Sequence, residues 1–579
     1  MSAPKIILFS TAFLLLALFA VWYVKQERYV YFWDYAGYHI LYRELGAKLA
    51  QSPSEALGSV VTSVRNNEYN TLPSLLQMPF YLAFGPRRLP YILSVTILYA
   101  FPAIFLFTLL LRRLDARDAG EKKWDDLALT FISLVVIALA PPLWLPLLLG
   151  YVDVIGLNVI FIILMLYFRK DLAAQTTRSL IAMGLLLSLL ILLRRWYAYW
   201  VVGFFCATSI DALLSYLPDR TQLKKVGLGF RNILIMGLVA VVSFFIVATP
   251  IALRMLTTDY RDVFSAYRSS DSTFQHFVRL YHYFGLLLVA ASVVGLLAMA
   301  AKEGKRRVAI FMAIQFITAF LLFNRTQDLN GHHYYWVAVT IFMMAAYFLR
   351  AAYSRLKTWP LKAVFIIVLC VVALSNLLVV FHPGVSRFLS PVETVYSQNR
   401  LPPLRRNDLN QVYGLLTTLR DLTRGSDSRI YILASSVKLN AGIAQNALYD
   451  FEPPMVELER NLYSTADVDK RDGFPFHLYN ALYVVVTNPV AYHLASTDQR
   501  VVGVVAEELI KGEGLARSYE RLPYEFPLED GSKAYIYKKV RPFDAGDLKR
   551  ISDTFVRFYP AYKERFEIKP DMLRALSGP

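Results

Sequence analysis

A single carboxylate, Asp34, lies in the stretch YFWDYAGYH (residues 31–39) among five aromatic residues and a histidine. This stretch begins seven residues after an apolar run, residues 6–24, that is long enough to cross a bilayer. Aromatic rings and a carboxylate at the edge of a membrane suit a substrate that is partly lipid and partly sugar. Asp34 is therefore the first candidate for chemistry, against the alternative that it only caps the helix that follows.

A second acid and three polar neighbours accompany Asp34 in the same part of the chain. Glu68 lies in NNEYNTLPS (residues 66–74), which also contains Asn70, and Tyr35 and His39 flank Asp34. The alternative for Glu68 is a solvated loop acid with no chemical role. Together these residues are the candidates for substrate contacts near the first apolar run.

Two more polar groups stand between apolar runs. Arg194 and Arg195 interrupt the apolar stretch 179–210, and the segment NRTQDLNGHHYYW (residues 324–336) contains Arg325, Gln327, His332 and His333. Arginines near a membrane surface also serve as snorkelling anchors, and histidines there are often ordinary interface residues. Adjacent histidines on a helix point in different directions, so the pair does not predict a shared metal ion.

The composition is that of a membrane protein. Of 579 residues, 56% are hydrophobic and 18% are charged, and the mean hydropathy is +0.41. The net charge of +17 comes from basic residues clustered in short loops, so membrane lipid and not nucleic acid is the expected partner. The two cysteines, Cys206 and Cys370, both lie in apolar runs, which excludes a disulfide framework and a Cys-based metal site.

Charge-free windows near 20 residues predict the membrane spans. Eleven are present, at 6–24, 89–111, 127–152, 154–168, 179–193, 196–210, 232–253, 283–301, 308–324, 334–349 and 363–381. The first is interpreted as a retained anchor because it lacks a clear signal-peptide cleavage site. Residues 179–210 are interpreted as two helices meeting at Arg194 and Arg195, since each charge at the bilayer centre would cost about 2.5 to 3.5 kcal/mol.

The basic residues then fall on one side of the membrane, as the positive-inside rule requires. With a cytoplasmic N-terminus, every second connection is cytoplasmic, and each of these is rich in Lys and Arg: Arg112, Arg113, Lys122 and Lys123; Arg169, Lys170 and Arg178; Arg220, Lys224, Lys225 and Arg231; Lys302, Lys305, Arg306 and Arg307; Arg350, Arg355, Lys357 and Lys362. The first loop (25–88) and the tail from residue 382 are then extracytoplasmic.

The predicted organisation is a polytopic α-helical domain, residues 1–381, followed by an extracytoplasmic α/β domain, residues 382–579. In the first outer loop, the apolar spacing predicts interfacial helices from Tyr38 to Leu49 and from Pro73 to Phe84. In the tail, strand patterns at 429–436, 481–488 and 533–540 alternate with helix patterns at 408–422 and 501–511.

The order of motifs resembles the membrane glycosyltransferases with the GT-C fold, specifically glycosyltransferase family 39 and its bacterial relatives. That group includes protein O-mannosyltransferases and lipid A aminoarabinose transferases. The shared order is a first helix, an Asp, an interfacial helix, E-x-N-T-L-P-S (68–74), F-G, R-L-P, a second helix and R-R-L. The resemblance covers roughly residues 1–380. This chain has Asp34-Tyr35 in place of an acidic pair and Asn70-Thr71-Leu72-Pro73 in place of His/Lys-Pro-Pro-Leu.

The resemblance implies an enzyme of the bacterial plasma membrane that moves one sugar from a polyprenyl phosphate to a glycan, lipid or protein acceptor outside the cytoplasm, with inversion. Asp34 would then be the base, and Glu68 would orient the acceptor or share a divalent cation with Asp34. Arg194 and Arg195 would bind the leaving phosphate. Arg325, Gln327, His332 and His333 would hydrogen-bond the sugar or the phosphate.

Two other classes of protein fit parts of the sequence. A transporter or flippase of polyprenyl lipids would have many apolar helices, but the sequence lacks matching Gly/Pro-broken helices in two halves. A non-catalytic assembly subunit would act through the large C-terminal tail. The sequence leaves both open.

Overall fold

The computed structural model describes residues 2–115, 123–216, 223–269 and 271–577. The chain divides into two compact units. The first unit comprises Met1–Glu27, Gly37–Asp259 and Ser269–Pro403, and the second comprises Arg28–Ala36, Tyr260–Arg268 and Leu404–Pro579. Two short segments from the membrane-protein part of the sequence thus belong to the same unit as the tail.

The first unit is a helical, multi-pass membrane domain. Within the described residues, seven helices are long and apolar enough to cross a membrane: Ala3–Gln26, Arg88–Leu114, Tyr197–Tyr216, Leu223–Thr257, Glu303–Thr326, Gly331–Arg355 and Trp359–Phe381. Two bent pairs bring the number to nine if each is one span, Asp126–Ala138 with Pro141–Leu149 (44°) and Thr273–Phe284 with Leu286–Ala301 (112°). The polytopic helical fold class is therefore confirmed.

The remaining two apolar windows fall on shorter helices. Ile155–Tyr167 has 13 residues and Thr177–Leu193 has 17, so length alone does not make them spans, and the count of eleven stays a prediction for these two. The helix ends at Leu193 and the next begins at Tyr197, so the break predicted at the arginine pair is present. The orientation in the membrane stays a prediction, and Lys122 and Arg220 of the basic loops lie outside the described residues.

The helices pack closely where small residues allow it. A Cβ on Gly295, in Leu286–Ala301, would lie 1.9 Å from the carbonyl oxygen of Met344 in the helix Tyr334–Arg355. At Gly285, in the 112° bend, φ is +83°, a conformation that favours glycine. Glycine thus sets both the turn that begins the helix Leu286–Ala301 and the close approach of that helix to Tyr334–Arg355.

Replacing Gly295 by Ala is expected to lower the free energy of unfolding by about 1 to 3 kcal/mol, because the backbone of the neighbouring helix must move away. Thermal unfolding of the purified protein in detergent measures the effect. Gly58→Ala is the matched control, since nothing lies within 4 Å of a Cβ there. An unchanged melting temperature for Gly295→Ala would contradict the close approach.

The first outer loop is more helical than its sequence pattern predicts. Its helices are Asp34–Gln51, Pro53–Asn66, Leu72–Leu75 and Met78–Phe84. The helix predicted from Pro73 to Phe84 is wrong as a single element, because the chain breaks at Leu76 and Gln77 and restarts with Pro79 in the first turn, where proline needs no N–H partner. The helix Pro53–Asn66 was not predicted; the Ser52 hydroxyl caps it by accepting from the N–H of Glu55 at 3.4 Å.

The second unit contains a five-stranded mixed sheet in the order β2-β1-β3-β5-β4. The strands are β1 (Ile430–Leu433), β2 (Leu462–Ser464), β3 (Tyr483–Asn488), β4 (Tyr519–Pro527) and β5 (Lys533–Lys539). β2 and β3 run parallel to β1, and β5 pairs antiparallel with both β3 and β4. An α/β tail domain is thus confirmed.

Helices cover the two faces of this sheet with separate apolar cores. The longer ones are Leu409–Thr423, Ala441–Ala447, Arg500–Lys511, Ala545–Phe558 and Pro570–Ser577. The predicted strands and both predicted helices are present. β2 has only three residues, and β4 is an edge strand with many exposed side chains, so neither shows the apolar alternation that identifies a strand.

The segment Arg28–Ala36 is tied into the second unit by its backbone. The N–H of Arg28 donates to the carbonyl of Leu404 at 2.9 Å, and the N–H of Arg406 donates to the carbonyl of Arg28 at 2.8 Å. The Asn446 amide donates to the carbonyl of Tyr31 at 3.0 Å, and Phe32 is buried in one of the two cores. The aromatic residues before Asp34 therefore serve partly as core of the second unit.

Candidate active site

A buried arginine lies at the centre of the polar site in the first unit. The Arg194 Nε is 2.8 Å from a carboxylate oxygen of Asp153, its Nη1 donates to the Tyr38 hydroxyl, and its Nη2 is 3.3 Å from His332 Nε2. The rings of Tyr38 and Tyr69 cover the guanidinium, with centroids 5.0 and 4.6 Å from Cζ. Only 3% of the Arg194 side chain and none of the Asp153 side chain is exposed.

These contacts make Arg194 a positioning residue. Each guanidinium nitrogen is within contact distance of a neighbour. Through Asp153, Tyr38 and His332, the side chain links three other segments to the helical break, which is the short connection between Leu193 and Tyr197. A charge buried in a membrane protein is costly unless it is paired, as here with Asp153. Burial raises the pKa of Tyr38, so this phenol stays neutral and its oxygen accepts from Arg194.

The chain around Asp153 is shaped by tight packing. Gly150 ends the helix Pro141–Leu149 with φ +107°, which favours glycine and lets the chain turn. The Tyr197 hydroxyl donates to the Asp153 carbonyl at 2.7 Å, and a Cβ on Gly156 would collide with the Tyr197 ring at 2.1 Å. The Tyr151 ring stacks on His332 with centroids 4.1 Å apart.

Arg195 makes a separate and more open ion pair. Its Nη1 lies 2.6 Å from the Glu68 carboxylate, with 18% of the Arg195 side chain and 16% of the Glu68 side chain exposed. Arg195 belongs to the helical break, and Glu68 belongs to the first outer loop. Glu68 is thus not a solvated acid: it holds the guanidinium of Arg195 in place.

The histidine pair lies on a short 3-10 turn, Gly331–His333. The N–H of Asn330 donates to His333 Nδ1 at 3.2 Å, so the neutral ring carries its hydrogen on Nε2. This Nε2 is 3.3 Å from the Gln327 side-chain amide, which must present its oxygen there to accept. The rings of His332 and His333 are 4.1 Å apart.

Trp196 lies beside both histidines. Its ring centroid is 5.9 Å from His332 and 5.6 Å from His333. The indole is buried, and its Nε1 finds no hydrogen-bond acceptor among the described residues. A buried indole N–H normally has a partner, so this donor is suited to an added acceptor such as a ligand oxygen.

Two of the candidates from the sequence, His39 and Asn70, have structural contacts, whereas Arg325 is exposed. His39 Nε2 lies 2.8 Å from the Pro86 carbonyl oxygen, its ring stacks on Tyr91 at 4.8 Å, and burial lowers its pKa. The Asn70 amide donates to the carbonyl of Leu192 at 2.8 Å, which fixes the first outer loop to the end of the helix Thr177–Leu193. Arg325 is exposed in the last turn of Glu303–Thr326.

Asp34 and Tyr35 belong to the second unit, whereas Glu68, Arg194, Arg195, His332 and His333 belong to the first. Asp34 begins the helix Asp34–Gln51 and follows Trp33, a non-glycine residue with φ +46°. The Tyr35 ring lies 6.0 Å from Phe32. The structure thus groups the predicted arginines with Glu68 and the histidines, and groups Asp34 with residues of the tail.

Within the described ranges, no group of three or more His, Cys, Asp or Glu side chains is placed to hold a metal ion. Glu68, one of the two carboxylates expected to share a cation, is already paired with Arg195.

Asp153, Tyr38 and Tyr69 were missed as site residues by sequence reasoning. One signal was present for Asp153: it is the single charge between the apolar windows 127–152 and 154–168. An ionisable residue in such a place is a functional candidate by default. Nothing local distinguishes Tyr38 and Tyr69 from the other tyrosines near helix ends.

Comparison with known proteins supports the fold. No family model and no curated protein sequence matches this chain. The structure of ArnT from Cupriavidus metallidurans bound to undecaprenyl phosphate is similar at a TM-score of 0.53 and 12% identity, over 93% of this chain and 98% of that chain. The likeness shows the fold alone, and this fold is the GT-C fold expected from the order of motifs.

Two further structures are similar at lower scores. ArnT from Cupriavidus metallidurans in the apo state gives a TM-score of 0.49 at 12% identity, over 92% of this chain and 98% of that one. The Archaeoglobus fulgidus oligosaccharyltransferase in complex with Zn and sulfate gives 0.44 at 14% identity, over 90% of this chain and 72% of that one.

Proposed function

We propose that this protein transfers a monosaccharide from a polyprenyl-phosphate donor to an acceptor on the extracytoplasmic face of the membrane. The observation that carries the proposal is the pair of arginines at one helical break, one buried and held by Asp153, the other partly exposed and held by Glu68. A partly exposed guanidinium that a carboxylate holds in place, next to a second and buried one, suits an anionic lipid phosphate. The fold likeness to ArnT, whose structure holds undecaprenyl phosphate, agrees with such a donor.

The two arginines have different roles in this proposal. Arg195 contacts the phosphate, because its side chain is the more exposed of the two and Glu68 fixes its direction. Arg194 acts through its neighbours by holding Tyr38 and His332 in place. His332, His333, Gln327 and the Trp196 N–H supply hydrogen bonds to the phosphate or the sugar, and Arg325 adds positive charge near the surface.

The reaction is a displacement at the anomeric carbon. A carboxylate base, for which the sequence predicts Asp34, accepts the proton of the acceptor hydroxyl or amine as that atom forms its bond to the anomeric carbon. The bond from this carbon to the phosphate oxygen breaks, and its electron pair leaves with the polyprenyl phosphate, whose growing charge Arg195 stabilises. A single displacement inverts the configuration of the sugar.

The direct test is to incubate the purified protein with a panel of polyprenyl-phosphate sugars and to measure release of polyprenyl phosphate. Arg195→Gln is expected to lower this release by about 10²-fold, because one charged contact to the leaving group is lost. Arg178→Gln, in the first turn of Thr177–Leu193, is the matched control and is expected to retain full activity. Equal release by wild type and Arg195→Gln would remove Arg195 from the reaction.

A polyprenyl-lipid transporter is the second candidate, and the two bent helix pairs favour it, since transporters often use broken helices. The same assay separates the two. A transporter would move the lipid-linked sugar across a vesicle membrane without releasing polyprenyl phosphate, whereas a transferase releases it in proportion to the sugar transferred.

A further inference from the structure

The second unit has a topological switch point in its sheet. From β1 the chain passes to β2 on one side and then crosses to β3 on the other, so the connections after β1 and β3 leave in opposite directions. In open α/β sheets, ligands bind in the crevice that this divergence creates at the carboxyl ends of the strands. The residues after β1, β2 and β3 are therefore the place in this sheet where a ligand is expected.

Polar residues from all three connections meet at these strand ends. The Ser435 hydroxyl, after β1, donates to an Asp467 carboxylate oxygen, after β2, at 2.8 Å. It also lies 3.2 Å from His493 Nδ1, after β3. The Gln499 amide, fully buried, lies 2.9 Å from the same nitrogen and donates to the Asp467 carbonyl at 3.1 Å.

His493 keeps one ring nitrogen for another partner. Among the described residues, the ring contacts Ser435 and Gln499, and each of these hydrogen bonds involves Nδ1. The other ring nitrogen, Nε2, is therefore left for a ligand. Burial lowers the pKa of His493, so the ring is neutral at pH 7. The Trp33 ring, partly exposed, lies 4.2 Å from the imidazole and adds an aromatic wall.

Two short segments of the second unit lie beside this cluster. The segment Arg28–Ala36 supplies the Trp33 ring that contacts His493. The segment Tyr260–Arg268 contacts the connection after β2, where Lys470 Nζ donates to Asp262 at 3.1 Å and to Ser265 at 3.0 Å.

We propose that this strand-end cluster, comprising Trp33, Ser435, Asp467 and His493, binds a pyranose sugar. A carboxylate, a hydroxyl and a neutral imidazole match sugar hydroxyls, and the indole matches a sugar face. Asp467 and Asp472 lie 3.9 and 2.6 Å from Arg471. The positive charge here is thus already matched by carboxylates, which disfavours phosphate and suits a neutral or amino sugar. The existence of the sugar site does not depend on the proposed function. Only the later transfer of the bound sugar rests on it.

Another cleft of the second unit, about 510 Å³ in volume, is a weaker candidate. Its lining residues precede β1 and β2, so it lies at the amino ends of the parallel strands; they are Arg420, Thr423, Arg424, Gly425, Ser426, Asp427, Glu457, Leu458, Arg460 and Asn461. One ion pair of this cleft, Arg460 with Asp427 at 3.3 Å, lies at the surface with 71% and 90% exposure. It lacks the converging connections of the switch point.

The test is saturation-transfer NMR on the full-length protein in nanodiscs, with the methyl glycosides of mannose, galactose and glucosamine as probes. Wild type is expected to bind at least one probe. Asp467→Asn and Ser435→Ala are each expected to weaken that binding by about tenfold or more, because each removes a hydrogen-bonding group from the cluster. Asp467→Asn is the main variant, since the Asp467 side chain is 28% exposed and tolerates change better than buried Ser435.

Asp421→Asn, a surface acid paired with Arg420, is the control and should bind like wild type. Displacement of the probe by a polyprenyl-phosphate sugar, but not by sugar-free polyprenyl phosphate, would identify the donor sugar as the natural ligand. Probe binding without such displacement would show that the site takes a sugar other than that of the donor. Absence of binding to wild type, or unchanged binding to a folded Asp467→Asn variant, would overturn the proposal.

The outcome is separable from that of the proposed function. Arg195→Gln should keep probe binding while it loses polyprenyl phosphate release. If wild type binds the probe but releases no polyprenyl phosphate, the transferase is rejected and the sugar site is kept. If wild type releases polyprenyl phosphate but does not bind the probe, the sugar site is rejected and the transferase is kept.

Discussion

Asp34→Asn is expected to lower the rate of sugar transfer by about 10² to 10⁴-fold, because the amide cannot accept the proton of the acceptor. The variant keeps the size of the side chain at the start of the helix Asp34–Gln51, so expression and insertion should be unchanged. Release of polyprenyl phosphate from a lipid-linked sugar, measured at saturating donor and acceptor, gives the effect on kcat.

The control for Asp34 is Asp421→Asn, which removes an exposed carboxylate from the second unit and should leave transfer unchanged. If Asp34 only capped its helix, Asp34→Ser would restore activity, since serine is also a good N-cap residue. Wild-type turnover by Asp34→Asn, or rescue by Asp34→Ser, would remove Asp34 as the base.

Asp153→Asn is expected to produce the largest loss of stability, about 3 to 5 kcal/mol, because it leaves the charge of Arg194 buried without a counter-ion. The side chains of this pair are 0% and 3% exposed and 2.8 Å apart, so water cannot compensate for the missing carboxylate. Thermal unfolding in detergent, followed at several scan rates, measures the loss.

A double-mutant cycle tests whether the pair itself is responsible. Asp153→Leu with Arg194→Met removes both charges and should recover much of the stability lost in the single variants. Asp421→Asn, at the surface pair with Arg420, should change stability by less than about 1 kcal/mol. Additive losses in the double variant would show that Asp153 and Arg194 contribute independently.

The double variant also separates stability from activity. A folded Asp153→Leu/Arg194→Met protein lacks the guanidinium that holds Tyr38 and His332. We expect it to be folded and poor in transfer, as fits a positioning residue. The pair would then serve to arrange the site and not to hold the fold together.

The sequence by itself determined the apolar helices and three of the five strands. Apolar windows identified the helical stretches, because a span needs a fixed length of apolar side chains. The charge of Arg194 and Arg195 placed the break between Leu193 and Tyr197, because two charges are too costly within a bilayer. Apolar alternation identified β1, β3 and β5, whereas the short β2 and the exposed β4 carry no such signal.

Only the tertiary structure decided which polar groups meet. Asp153 and Arg194 are 41 residues apart in sequence, and His332 is a further 138 away, so no local pattern links them. The surroundings of Asp34 are not readable from the sequence either. The order of motifs assigns Asp34 to the membrane domain, whereas its contacts place it in the same unit as the tail. Periodicity and hydropathy report on neighbours along the chain, but partners of buried charges are set by long-range packing, which no single stretch of sequence contains.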